Sequence, residues 1–371
     1  VRANVLIVKL SSLGDVIHTL PAAQAVRAAW PDCRLGWVVE KDQASLLYRQ
    51  PFLDEVIEWD RRHWGSWADF LRRLRRTRWD VAIDFQGLFR SGLVTLLSGA
   101  GRRVGYAPGR ELAHWFYTDS VPLDGVRRHA VDRYLDLAGR LGVALPGLPV
   151  ARAAVGGSPG APSGDGTVLF PLPSSEEDRA AVRRWLERHG FDADRHQLAI
   201  LNPHSRRDAN RWPADRFAGL GRRLLAHPGI RVALAGGMVA RAVCDEIARQ
   251  LGDGVWRADG QFSLPGTAAL FREARVVVTG DTGPMHLAVA VGTPVVALFG
   301  PTNPQLTGPY TSDAIVLDKQ IECSPCLERR CPLNYDPPRC MDLITVEEVC
   351  DAVLARLGEG VATGASPQHR A

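Results

Sequence analysis

The stretch NVLIVKL (4–10), followed by SSLGDVIHTLPAAQAVRAAWP (11–31), decides the architecture. The first seven residues form an apolar run of the kind buried on both faces of a sheet, broken only by Lys9 near its end. From Asp15 to Trp30 the apolar residues recur at helical spacing. A buried strand feeding a helix is the start of a βα unit, and the next residues repeat it. RLGWVVE (34–40) and DEVIEW (54–59) read as strands with a brief helix near 43–49 between them. SWADFLRRLRRTR (66–78) reads as a helix with an arginine-rich outer face, WDVAIDFQ (79–86) as a strand and GLFRSGLVTLLSGA (87–100) as a helix. Strand and helix alternating in this way predict a mainly parallel sheet covered on both sides.

Residues 151–178 are rich in Gly, Pro and Ser and read as an interdomain connection with one short apolar run. Beyond them EEDRAAVRRWLERHG (176–190) is a helix, and a second alternating unit begins with QLAILNP (197–203). It continues through RWPADRFAGLGRRLLAHPG (211–229), with Pro213 near the start of a helix, and RVALAGG (231–237). The later segments RVVVTG (275–280), DTGPMHLAVAVG (281–292) and TPVVALFG (293–300) keep the pattern. The expected division is a first domain over 1–170, a second over 171–344, a last helix at 345–357 and a flexible tail at 358–371. Two such domains leave a cleft between the C-terminal ends of their sheets, where ligands of open α/β folds bind.

Composition bounds the function. Of 371 residues, 46% are hydrophobic and 23% charged, which suits a globular protein with a large core. A net charge of +4 is too small to argue for nucleic acid as a partner. No run of eighteen apolar residues is present, and the N-terminal residues lack a secretory pattern, so a cytosolic location is expected. The basic residues are lopsided, with three lysines and 42 arginines.

Two strand-to-helix junctions carry the chemistry. In the first, Ser11 or Ser12 can cap a helix, Gly14 permits close approach, and Asp15 lies in the first turn with His18 one turn on. A carboxylate at the mouth of a cleft can take a proton from a hydroxyl, and it can equally be a helix-capping group and nothing more. In the second, Asp281, Thr282, Gly283 and Pro284 precede a helix containing His286. Free N–H groups at that helix start suit a phosphate or diphosphate. The segment after the first strand of the second unit adds Ser205, Arg206, Arg207, Asn210 and Arg211 as a polar rim, with solvent exposure expected for at least one arginine. Asp84, Gln86 and Arg90, then Tyr106 and Arg110, and His129 and Arg133, are candidates on the opposite wall. Cys323, Cys326, Cys331 and Cys340 form a cluster whose first pair has metal-ligand spacing. Structural zinc, an iron–sulfur centre, disulfides and free thiols are all compatible with it.

VLIVKLSSLGDVIHTLPA and DTGPMHLAVAVGTPVVALFGPTNP, with NPHSRRDANRWP and DFQGLFRSG between them, resemble the lipopolysaccharide heptosyltransferases of glycosyltransferase family 9 from about residue 4 to residue 356. The resemblance implies a GT-B fold, two Rossmann-like domains facing across a cleft. It implies an inverting transferase that needs no metal at the chemical step, with ADP-heptose as donor and Kdo-lipid A as acceptor. Asp15 matches the catalytic base, and Asp281, Thr282, Gly283 and His286 match the diphosphate loop. Ser205, Arg206, Asn210 and Arg211 then fall on the donor side, and Ser12, Gly14, His18, Gln86, Arg90 and Arg110 on the acceptor side. A lipid-anchored acceptor implies peripheral contact with the cytoplasmic face of the inner membrane, with the basic helix at 66–78 as the candidate surface. The opening is nearer the type I members, which add the first heptose to Kdo. The cysteine region resembles type II, which adds the second, and a family transferase building another surface glycan stays open.

Two residues depart from the family pattern. Asn210 stands where a phosphate-binding lysine is usual, and Arg206, Arg207 or Arg211 can supply that charge instead. After LAGG, Met238, Val239 and Ala240 stand near the place of a ribose-binding glutamate. The paired SSLGD and DTGPMH segments argue against a nucleotide-sugar epimerase, and Asp15 argues against a protein that only binds.

Overall fold

A computed structural model describes residues 3–122, 128–141 and 170–358. The first half contains β1 (Asn4–Val8), α1 (Leu13–Ala29), β2 (Arg34–Glu40), α2 (Lys41–Ala44), β3 (Glu55–Trp59), α3 (Trp67–Leu74), β4 (Val81–Asp84), α4 (Phe89–Leu97), β5 (Arg102–Ala107), β6 (Asp119–Pro122) and α5 (Ala130–Gly139). The second contains α6 (Glu176–Arg188), β7 (Gln197–Asn202), α7 (Ala214–Leu225), β8 (Ile230–Leu234), α8 (Arg241–Leu251), β9 (Val255–Arg257), α9 (Leu264–Glu273) and β10 (Val276–Gly280). It ends with α10 (Gly283–Ala290), β11 (Val295–Phe299), α11 (Pro304–Thr307), β12 (Ala314–Asp318), α12 (Arg339–Asp342) and α13 (Val346–Leu357). Most of the 151–178 connection and the tail beyond Gly358 fall outside the described residues.

Each half is built on a six-stranded sheet, ordered β3-β2-β1-β4-β5-β6 in the first and β12-β11-β10-β7-β8-β9 in the second. All the strand pairs are parallel. Counted from its own first strand, the second sheet has the same order as the first. Both are doubly wound α/β sheets whose order reverses between two central strands, β1 and β4 in one and β7 and β10 in the other. This is the expected GT-B architecture. The central strands are near-continuous Val, Ile and Leu, as burial on both faces requires.

Helix α1 opens two residues before the expected Asp15, because Ser12 caps it and Asp15 reaches back to the Ser12 backbone. The brief helix α2 lies at 41–44, ahead of the expected 43–49. One apolar cluster bridges the two halves, with Ile17 and Leu20 of α1 and Phe271 and Leu287 of the second half among its members.

Where α1 meets α10 the backbones come close. A Cβ on Gly14 would lie 2.3 Å from the His286 ring, and one on Gly283 would lie 2.6 Å from the Leu13 side chain. These two glycines allow the helix starts to cross, which sets the two switch points against each other.

Candidate active site

A cleft of about 720 Å³ opens at that crossing. The first half lines it with Ser12, Gly14, Asp15, His18, Tyr106, Arg128 and Arg133, and the second with Arg207, Asp281, Thr282, Gly283, His286 and Thr307. The two motif-bearing junctions, 268 residues apart at their histidines, therefore share one site.

Asp15 is the pivot of the first wall. Its Oδ2 accepts from Ser12 N (3.1 Å) and Ser12 Oγ (2.8 Å), so it is a capping group. Its Oδ1 accepts from Tyr134 Oη (3.0 Å) and lies 3.5 Å from Lys9 Nζ. The side chain is still 40% exposed to the cleft. Burial raises its pKa, but the Lys9 ammonium, the Ser12 hydrogen bonds and Tyr134 outweigh it and hold the carboxyl at about 2. Lys9 is itself buried, donates to Tyr134 Oη (2.6 Å) and to the Phe85 carbonyl (3.1 Å), and sits 4.4 Å from the centre of the Tyr134 ring. Burial lowers the pKa of this ammonium, which Asp15 and Asp84 counteract.

Asp281 behaves differently. Burial pushes its carboxyl up to about 6, against Thr302, Arg207 and Thr307, the last of which donates its hydroxyl to Oδ2 at 3.3 Å. His286 Nε2 stands 4.0 Å from its Oδ1. Burial holds the His286 imidazole down to about 3, and its Nδ1 pairs with His18 Nε2 at 2.9 Å. The His18 pKa is likewise lowered well below the ordinary value, by burial first and then by His286 and His129. The His18 ring centre is 5.1 Å from that of His129, the N-cap of α5. The site therefore holds neutral imidazoles, and its cations are arginines and Lys9.

The other expected site residues divide. Ser205 is buried and its Oγ accepts from Arg207 N. Asn210 is buried, and its amide donates to the Asp281 carbonyl at 3.2 Å, bracing the loop rather than lining the cleft. Arg206 is exposed, and Arg211 pairs with Asp208 while donating to the Ser205 carbonyl, so neither lines the cleft. Gln86 Oε1 accepts from Leu10 N and Ser11 N, and Arg90 donates to Ser11 Oγ and pairs with Glu40. Both hold the loop that leads into α1 and Asp15. Arg110 opens a 3₁₀ segment, Arg110–Phe116.

Lys9 and Tyr134 were not legible as site residues. The signal for Lys9 was a lysine in a strand otherwise built for burial; Tyr134 left none.

Cys323, Cys326, Cys331 and Cys340 are all free, and among the described residues no three His, Cys, Asp or Glu side chains are grouped to hold a metal ion. The thiols border a common cavity of about 10 Å³. Burial pushes the Cys340 thiol up to about 11.

A family model described as Glycosyltransferase family 9 (heptosyltransferase) matches residues 67–335. The chain is 32% identical over 350 residues to lipopolysaccharide heptosyltransferase 1 of Pseudomonas aeruginosa, covering 90% of this chain and 88% of that protein. A glycosyl transferase family 9 crystal structure from Veillonella parvula superimposes with a TM-score of 0.79 at 25% identity, over 96% of this chain and 98% of that one. The Escherichia coli heptosyltransferase WaaC with ADP-2-deoxy-2-fluoro heptose gives a TM-score of 0.68 at 26% identity, over 95% and 99%.

Proposed function

The chain belongs to glycosyltransferase family 9, and we propose that it moves heptose from ADP-L-glycero-D-manno-heptose to the Kdo of the lipopolysaccharide inner core, inverting the anomeric carbon. One observation carries the reading. A single cleft sets an ionised carboxylate from the first half against the start of α10 in the second. In this assignment residues 1–170 bind the acceptor and 171–344 the donor.

The donor diphosphate lies at the N-terminus of α10, where backbone N–H groups and the helix dipole favour negative charge. Arg207 supplies the cation that a lysine supplies in the usual family pattern, while Asn210 keeps the loop in place. With its pKa raised to about 6, the Asp281 carboxyl takes up a proton more readily than an ordinary aspartate, which eases its repulsion of the incoming phosphates.

Asp15 accepts the proton of the attacking hydroxyl. A carboxyl with a pKa of about 2 is a weak base toward a free alcohol. As the new C–O bond forms, the oxygen acquires positive charge and its proton becomes strongly acidic. Proton transfer therefore comes late, when this weak base suffices. Negative charge builds on the departing diphosphate, where α10 and Arg207 stabilise it without reorganisation. Arg128 and Arg133 on the acceptor wall suit a carboxylate-bearing sugar such as Kdo. The lipid anchor of that acceptor places the enzyme at a membrane surface.

The test pairs ADP-heptose with Kdo-bearing lipid A and, separately, with its mono-heptosylated form. Transfer to the first is expected. Transfer to the second alone reassigns the enzyme to the second heptose, and failure with both, in protein that binds ADP, rejects the acceptor class.

A further inference from the structure

Helix α4 starts beside the site, where Arg90 in its first turn holds Ser11 Oγ at 2.8 Å. Its outer side carries Phe89, Leu93 and Leu96 at i, i+4 and i+7, with Phe89 46% and Leu96 42% exposed. The 3₁₀ segment crosses this helix at Gly92, where an added Cβ would lie 2.6 Å from the Phe116 ring and 3.1 Å from the Ala113 carbonyl. The Phe89 and Phe116 rings meet edge-on at 5.2 Å. The same segment turns Leu112, 47% exposed, and Trp115, 70% exposed, toward solvent. Single exposed apolar residues are ordinary, but four large ones on two elements packed together are not. Glu111 and Leu112 also sit in the left-handed region, with φ of 54° and 62°, so backbone strain is tolerated to present an exposed leucine.

Arginines rim this face. Arg75 Nε donates to the Leu97 carbonyl at the end of α4, and Arg103 Nε donates to the Phe116 carbonyl at the end of the 3₁₀ segment. Arg72, Arg73 and Arg76 are exposed nearby on α3 and just after it. The acids of the rim are engaged: Asp69 with Arg72, Asp119 with Arg102, and Glu111 accepting from Phe89 N. Apolar side chains ringed by arginine match the acyl boundary and phosphates of an anionic bilayer.

We propose that the Phe89, Leu96, Leu112 and Trp115 face, with Arg75 and Arg103 at its rim, docks on an anionic lipid surface beside the acceptor wall of the cleft. The apolar residues enter the headgroup boundary, and the lipid-anchored acceptor reaches Asp15 from the bilayer side. The inference rests on the lipid-anchored acceptor of the preceding reading. It replaces the basic helix as sole contact with a mixed apolar and basic one.

The test is co-sedimentation of the full chain with phosphatidylcholine vesicles made with and without phosphatidylglycerol. Binding to the anionic vesicles is expected, and the Leu112→Ser, Trp115→Ser double variant should partition about tenfold less, the loss expected for withdrawing large apolar side chains from contact. Both positions are exposed, so unfolding temperature and transfer to a lipid-free Kdo saccharide should be unchanged, while transfer to Kdo-lipid A in anionic vesicles falls. Wild-type protein that ignores anionic vesicles, or a double variant that binds as well as wild type, overturns the proposal. So does binding abolished by Arg72→Glu, Arg73→Glu but untouched by the apolar pair, which leaves the basic helix alone. A wild type that binds vesicles yet transfers to no Kdo acceptor refutes the functional reading and leaves the docking face standing.

Discussion

Asp15 and Asp281 stand at the ends of central strands in two sheets of one topology, each just before or within the first turn of a helix. Both line the same cleft, and burial raises the pKa of both. In the first half, Lys9 lies within 3.5 Å and Ser12 and Tyr134 donate, so the carboxyl falls to about 2. In the second half Arg207 and the hydroxyls of Thr302 and Thr307 oppose burial more weakly, and the Asp281 carboxyl rises to about 6. The neighbours, not the topology, decide how readily each carboxylate takes up a proton. The same fold thus supplies a fully ionised proton acceptor on one wall and, on the other, a carboxyl that takes up a proton far more readily beside the helix start suited to phosphate.

Removing the acceptor is the harshest test of this contrast. Asp15→Asn should reduce kcat by about 10³-fold, within the span of general-base effects, and leave ADP affinity nearly unchanged by titration calorimetry. A fall of less than about tenfold would reject Asp15 as the base. On the other wall, Arg207→Ala should weaken ADP binding by about 10- to 100-fold, the worth of one charge-assisted hydrogen bond, whereas Arg211→Ala should change it little. Equal losses from the two would mean that the loop, not Arg207, carries the charge.

The crossing of the two walls is tested by Gly14→Ala. The added methyl meets the His286 ring, so stability should fall by about 1–3 kcal/mol in denaturant unfolding, with kcat falling as well.

The smallest effects are in pH profiles. With Asp15 at about 2, its charged form persists down to that pH and is lost only as the pH falls through it. Lys9→Met removes the neighbour that lowers this pKa and leaves burial to raise it, so the acid limb of kcat should move to higher pH with the basic limb unmoved. Asp281, at about 6, gains its charge as the pH rises through that value. ADP affinity should therefore decline across that interval in the wild type and stay level in Asp281→Asn. An identical decline in both would place the titrating group elsewhere.

Much of this was legible in the chain. The strands β1, β7, β10 and β11 have apolar interiors, and the helices after β1 and β10 begin at Ser12-Leu13 and Gly283-Pro284, so pattern and helix-start chemistry agree. The short β6 and β9 were not, because DSVP and VWR carry too few residues for a period and β6 is mostly exposed. The arginines of the 205–211 segment are alike in composition; only their side-chain partners separate Arg207, which lines the cleft, from Arg211, which turns to Asp208. The cysteine spacing left metal, disulfides and free thiols open, and only the three-dimensional arrangement shows the four thiols free and bordering one small cavity.

By itself, the sequence determined the two alternating halves, the junctions at Asp15 and Asp281, and the family they resemble, because these rest on local burial patterns and helix-start chemistry. Tertiary structure decided what those junctions do. Tyr134 lies 119 residues from Asp15 and His286 lies 268 from His18, and only the packing of α5 and α10 on α1 brings them together. A pKa depends on the charges and dipoles within a few ångströms, and those neighbours come from distant segments.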